Sequence, residues 1–144
     1  MQNAKQCQIR KRSGFSLVEL VVVILIMGII AAVAAPKMFD TTNTARKNSA
    51  RNSLHVVRNA IELYKSKNEA YPGAGGSGTA LATDLTPLLN GPFPKLDVTG
   101  AKKDGSVKYE TDGNGVGTPD GTTDWLYDTV DGKLIINVTG YETL

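Results

Sequence analysis

From Phe15 to Ala35 the chain runs through 21 residues of which only Ser16 and Glu19 are neither apolar nor glycine. At about 1.5 Å per residue, one helix of that length crosses the hydrocarbon of a bilayer. Beyond it the pattern changes. Ala50, Leu54, Val57, Ile61 and Tyr64 recur at i, i+4, i+7, i+11 and i+14, which is one face of a helix. A helix from Ser16 to Lys67, about 78 Å long at that rise, is therefore expected, its lower half an anchor and its upper half a spine whose stripe packs against a head. Pro36 lacks an N–H and clashes with the carbonyl four residues back, so a kink is expected where the chain leaves the bilayer. Thr41 to Thr44 weaken helix propensity just beyond it.

Tyr71-Pro72-Gly73 ends the helical rhythm, and Gly73 to Thr79 reads as a loop. Thr83 or Asp84 is expected to cap a short helix running to about Asn90 and burying Leu85, Leu88 and Leu89, with Gly91, Pro92 and Pro94 ending it. The last third alternates with period two. Val107 to Glu110, Trp125 to Tyr127 and Lys133 to Val138 are the expected strands, with a tight turn at Asp131-Gly132. The fold class that follows is α+β, a long N-terminal helix packed against a small antiparallel sheet of about three strands.

Charge sharpens this picture. Of the 16 basic residues, Lys5, Arg10, Lys11 and Arg12 precede the apolar run, whereas all 14 acidic residues come after that basic leader. The positive-inside bias holds the first residues in the cytoplasm and places the C-terminal part outside. Past the leader, 12 basic and 14 acidic side chains leave a net −2, which excludes a strongly basic nucleic-acid binder. Residues 37–67 carry seven bases and two acids, and 68–144 five bases and eleven acids, so a basic stem bears an acidic head. The single cysteine, Cys7, lies in the leader, so no disulfide can staple the head. Enzymatic chemistry has little to stand on: beyond the leader there is no cysteine nucleophile, and the one histidine, His55, sits in the spine with no triad signature. The same shortage argues against zinc. Gly73, Gly75 and Gly78 match a G-x-G-x-x-G spacing but follow a helix, without the βαβ unit that a nucleotide needs.

Glu19 is the residue that does not belong. A carboxylate in hydrocarbon costs roughly 2.5–3.5 kcal/mol on insertion scales, and the run contains no Lys, Arg or His to offset it, so its partner is expected from outside this helix. The segment Lys11-Arg12-Ser13-Gly14-Phe15-Ser16-Leu17-Val18-Glu19-Leu20 resembles the class III signal of type IV pilins and type II secretion pseudopilins. The resemblance implies cleavage between Gly14 and Phe15 by prepilin peptidase and N-methylation of Phe15. It makes Glu19 the residue that neutralises the new amine on a neighbouring subunit during filament assembly. Gly28 and Pro36 fall where pilins often loosen this helix. The domains implied are a leader removed at 1–14, a transmembrane and assembly helix at 15–36, a spine at 37–70, a loop region with a short helix at 71–105, and the sheet with an Asp/Gly-rich loop at 106–144.

The absence of a disulfide shifts the resemblance toward the pseudopilin branch, or toward cysteine-free pilins, and the chain resembles the major pseudopilins more closely. It implies self-association into a filament with other pilin-like subunits, an inner-membrane assembly platform as partner, and single-pass inner-membrane insertion with a periplasmic head. A type IV pilus subunit is the alternative. A further alternative is a soluble periplasmic calcium module cut by signal peptidase at the small-x-small pattern Ala32-Val33-Ala34. Asp112, Asn114, Asp120 and Asp124 gather oxygen ligands of the kind calcium takes, in a glycine-rich loop without the glutamate that closes an EF-hand. Major pseudopilins are similar in binding calcium through an acidic loop near the C-terminus, which makes these four residues candidate ligands; an Asp/Gly-rich turn holding no ion is the competing reading.

Overall fold

The computed structural model describes residues 14–77 and 79–144. Residues 1–13, with the basic leader and Cys7, and Gly78 of the glycine loop lie outside the described residues. The elements in order are α1 (Leu17–Asn68), α2 (Ala80–Leu85), a 3-10 turn at Thr86–Leu88, β1 (Val107–Glu110), β2 (Trp125–Asp128) and β3 (Leu134–Ile136). The chain divides into two compact units, Met1–Asp40 and Thr41–Leu144.

In the first unit, the N-terminal part of α1 leaves its large side chains, from Leu17 to Phe39, exposed all round. It is long and apolar enough to cross a membrane. Pro36 lies within α1, and the helix is not broken there.

In the second unit, Ala50, Leu54, Val57, Ala60 and Ile61 of α1 are buried, and Tyr64 packs at the edge of the same core. The other side of that core is Val107 of β1, Trp125 and Tyr127 of β2, Leu134 and Ile136 of β3, with Leu81, Leu85, Leu96 and Val98 closing the flanks. α2 begins at Ala80, earlier than the expected cap at Thr83 or Asp84, and buries Leu81 and Leu85. Asp84, inside the helix, instead accepts the Gly73 N–H at 2.7 Å and ties the glycine loop down.

The sheet has the order β1-β2-β3. β2 and β3 pair antiparallel, Tyr127 opposite Leu134, but β1 and β2 run parallel, Tyr109 beside Tyr127, so the sheet is mixed rather than antiparallel. Alternation marks a strand without saying which way its neighbour runs. A parallel pair needs a crossover of a dozen or more residues, and the 14 residues 111–124 supply it. The turn from β2 to β3 is also wider than a two-residue hairpin, closing through Gly132 N–H to Asp128 O at 2.9 Å.

Period-two alternation sorts the two faces of the sheet. Trp125 and Tyr127 face α1, whereas Leu126, together with Lys108 and Glu110 beside it and Ile135 opposite, belongs to the other face. Leu126 is nevertheless fully buried. Glu110 takes the Gly117 N–H at 2.6 Å and Lys108 reaches Asp120 at 2.7 Å, so the crossover loop folds back over that face.

Candidate processing site and acidic loop

Gly14, Phe15 and Ser16 precede the first helical residue, Leu17, and all three are exposed. Phe15 is 86% exposed, and a Cβ built on Gly14 would meet no atom within 4 Å. Among the described residues nothing packs over the Gly14-Phe15 peptide bond. Directly after it, Ser16 and Glu19 form a reciprocal cap: the Val18 N–H donates to Ser16 Oγ at 3.3 Å, and Glu19 Oε2 accepts the Ser16 N–H at 2.9 Å. This is the S-x-x-E capping box, which satisfies N–H groups left over at a helix start. Glu19 thus has a hydrogen-bond partner at the start of its own helix, besides the charged partner expected from outside it, because its carboxylate turns back onto the backbone next to Phe15. The S-x-x-E spacing from Ser16 to Glu19 is the trace of this cap in the sequence.

Further along α1, Val21, Ile24, Leu25, Gly28, Ile29 and Ala32 line one apolar face. Nothing lies within 4 Å of a Cβ built at Gly28, so the isolated chain places no steric demand for glycine there.

The four acidic-loop residues separate into two places. Asp112 and Asn114 close a local turn on themselves, with Asn114 N–H and Nδ2 both donating to Asp112 at 3.2 Å. These bonds hold the Asp112 carboxyl below its usual range, the Asn114 backbone N–H contributing most. That turn abuts the β2–β3 connection, Gly113 meeting Val130 and Gly115 meeting Lys133. Asp120 and Asp124 lie elsewhere. Asp120 Oδ2 accepts Lys108 Nζ, while Oδ1 accepts the Asn137 amide, the Thr122 hydroxyl and the Thr122 N–H, at 2.7, 2.7 and 3.0 Å. The Lys108 ammonium is the main cause that keeps the Asp120 carboxyl far below the usual carboxylate range.

Asp124, fully buried, accepts three backbone N–H groups, from Leu96 at 3.2 Å and from Lys103 and Gly105 at 2.7 Å. It ties the 96–105 segment to the start of β2. Among the described residues no group of three or more His, Cys, Asp or Glu is arranged to hold a metal ion. The carboxylates are turned to backbone, amide, hydroxyl and ammonium donors instead, a donor set that does not fit a calcium cage built from all four.

Asn137, which the sequence reading did not single out, is fully buried and stands at the centre of the loop's attachment. Its backbone N–H donates to Asp124 O and its carbonyl accepts Gly121 N–H; its side chain accepts Asp120 N–H and donates to Asp120 Oδ1 and Thr123 Oγ1. An asparagine at the end of an apolar strand is the only trace of this in the sequence.

Residues 9–35 match the family model of the prokaryotic N-terminal methylation motif. The chain is 34% identical over 101 residues to type II secretion system core protein G of Pseudomonas aeruginosa, covering 70% of this chain and 66% of that protein. It is 33% identical over 79 residues to the core protein G of Vibrio cholerae, covering 55% of this chain and 54% of that one. The corresponding protein of Escherichia coli is 36% identical over 80 residues, covering 54% and 55%. The chain thus spans between about half and two thirds of the length of these relatives. No solved structure matches it significantly. With an exposed Gly14-Phe15 junction, a capped membrane-length helix and a small α+β head behind these similarities, the chain carries the prepilin-type methylation motif and is similar to the type II secretion core protein G pseudopilins.

Proposed function

We propose that this chain is a structural subunit of a type II secretion pseudopilus, cut between Gly14 and Phe15 by prepilin peptidase, methylated at Phe15 and assembled through α1 into a filament. The observation that carries the reading is the junction itself: an exposed non-helical bond followed at once by a capped helix whose apolar side chains stay uncovered. Buried, such a helix would be a core element; left bare, it needs lipid before assembly and other helices afterwards. The relatives carry core protein G in their names, which supports the secretion system over other filaments. In this reading the subunit waits in the inner membrane with its head in the periplasm, and its partners are prepilin peptidase, the assembly platform and other pilin-like subunits.

Glu19 has a double task. In the single chain its carboxylate caps the helix start, and after cleavage the new Phe15 amine lies one residue from the N–H it already holds. A carboxylate and an ammonium attract strongly where water is scarce, so the amine on its own or a neighbouring chain supplies the charge that the apolar run lacks. The test is mass spectrometry of the protein recovered from membranes of cells that carry prepilin peptidase. A chain beginning at N-methylated Phe15 is expected; one beginning beyond residue 30, or retaining Met1, would overturn the proposal.

A further inference from the structure

The head closes its acidic crossover loop with its own cation. Lys108 on β1 and Asn137 just after β3 flank the central strand, and both grip Asp120. The ammonium lies 2.7 Å from Asp120 Oδ2 and the carboxamide nitrogen 2.7 Å from Oδ1, so one oxygen of the carboxylate has a donor on β1 and the other a donor just past β3. Asn137 also receives the Asp120 and Gly121 N–H groups, which fixes the loop backbone and not only its side chain.

Four residues on, Asp124 is fully buried. Its two oxygens are used by three backbone N–H groups, one of them from Lys103, which holds a left-handed backbone at φ 64°. A carboxylate held by backbone N–H groups is a strong structural joint, and filling its coordination from outside would mean breaking those bonds. Asp112, the remaining carboxylate of the set, is tied to Asn114 in a turn beside Lys133.

We propose that the Lys108 ammonium and the Asn137 carboxamide do in this head the work for which the acidic loop suggested calcium, so that the loop closes without any divalent cation. The carboxylates are then internal ligands of the protein, with loop closure built into the strands and independent of the calcium level around the head. The inference concerns the head alone and does not depend on filament assembly.

Thermal unfolding of the full-length protein in detergent micelles tests it, with the fluorescence of the single, fully buried Trp125 as the reporter. The midpoints in millimolar calcium and in EDTA are expected to agree within about 1 °C, because an ion bound only by the folded state would separate them by several degrees. Lys108→Met is expected to lower the midpoint by about 1–5 °C, equally in both solutions, as befits a half-exposed ion pair tied into a network. A midpoint that rises by several degrees with calcium, or falls by as much in EDTA, would overturn the inference. So would a Lys108→Met protein that melts as the parent does. Lys108 is partly exposed and outside the core, so this variant folds where an Asn137 substitution could fail to.

Discussion

Gly132 shows how much a single residue can be asked to do. Its backbone is left-handed at φ 70°, and a Cβ there would be driven into the Tyr71 ring. Tyr71 in turn holds Lys65 Nζ both by its hydroxyl and beneath its ring, so the end of α1 and the β2–β3 turn meet at one aromatic side chain. Gly132→Ala should destabilise the head by more than the roughly 1–2 kcal/mol that the left-handed backbone costs alone. Denaturant titration checks this, and a loss of less than about 1 kcal/mol would mean that the ring moves aside freely. Asp-Gly marked a turn in the sequence; that the glycine answers to a tyrosine sixty residues earlier could not be read there.

At the scale of elements, the upper part of α1 is held to the sheet by a narrow apolar stripe and by one polar contact at its border. Leu54 and Val57 are fully buried against the strands, and Arg58 donates through Nε and Nη2 to Leu134 O, at 3.1 and 2.8 Å. In an antiparallel pair, residues in a non-hydrogen-bonded position point their backbone groups away from the partner. Leu134 holds such a position, because the flanking bonds run from Asp128 N–H to Lys133 O and from Asn137 N–H to Asp124 O. Arg58 therefore covers a carbonyl on the open edge of the sheet, and its partial burial lowers its pKa. Leu54→Ala should cost about 2–5 kcal/mol, the range for emptying a fully buried leucine site. Hydrogen exchange on β3 would locate the damage: faster exchange at β3 as well as in α1 is expected, and a change confined to α1 would show that the helix and sheet are not coupled through this stripe.

For the whole molecule, pH and assembly are the informative variables. Asp120 titrates far below the ordinary carboxylate range, chiefly because of Lys108, then through Thr122 and Asn137. A depressed folded pKa gives stability that is complete above the unfolded value of about 4 and is lost as pH falls through the folded one. Asp97, lowered first by its hydrogen bond to Lys103, acts in the same direction. The melting midpoint should be level from about pH 7 to 5 and fall below about pH 4, and Lys108→Met should make that acid limb shallower. An unchanged limb in the variant would remove Lys108 as its cause. In cells, Glu19→Gln should keep membrane insertion while losing filaments, because glutamine can still accept the Ser16 N–H but cannot neutralise an amine. Normal filament yield from that variant would confine Glu19 to helix capping. Ser16→Ala is the companion: it removes the hydroxyl from Val18 N–H, at a cost of about 0.5–2 kcal/mol in helix start, and should leave assembly largely intact.

The sequence by itself determined what local periodicity and composition encode. The apolar run made a membrane-length helix, the 3.6-residue stripe from Ala50 to Tyr64 named the face of the spine that is buried, and the alternating stretches marked all three strands. The S-x-x-E at Ser16, the cap of the helix start, was equally present in the sequence. Only the tertiary structure decided that β1 runs parallel to β2, that residues 111–124 lie across the sheet's far face, and that Asp120 and Asp124 are held by Lys108, Asn137 and backbone N–H groups from 96–105. The physical reason is that periodicity tells which side of an element loses water but not what covers it. A carboxylate in a glycine-rich loop suits a metal, an ammonium or a row of N–H groups alike, and the long-range path of the chain chooses among them.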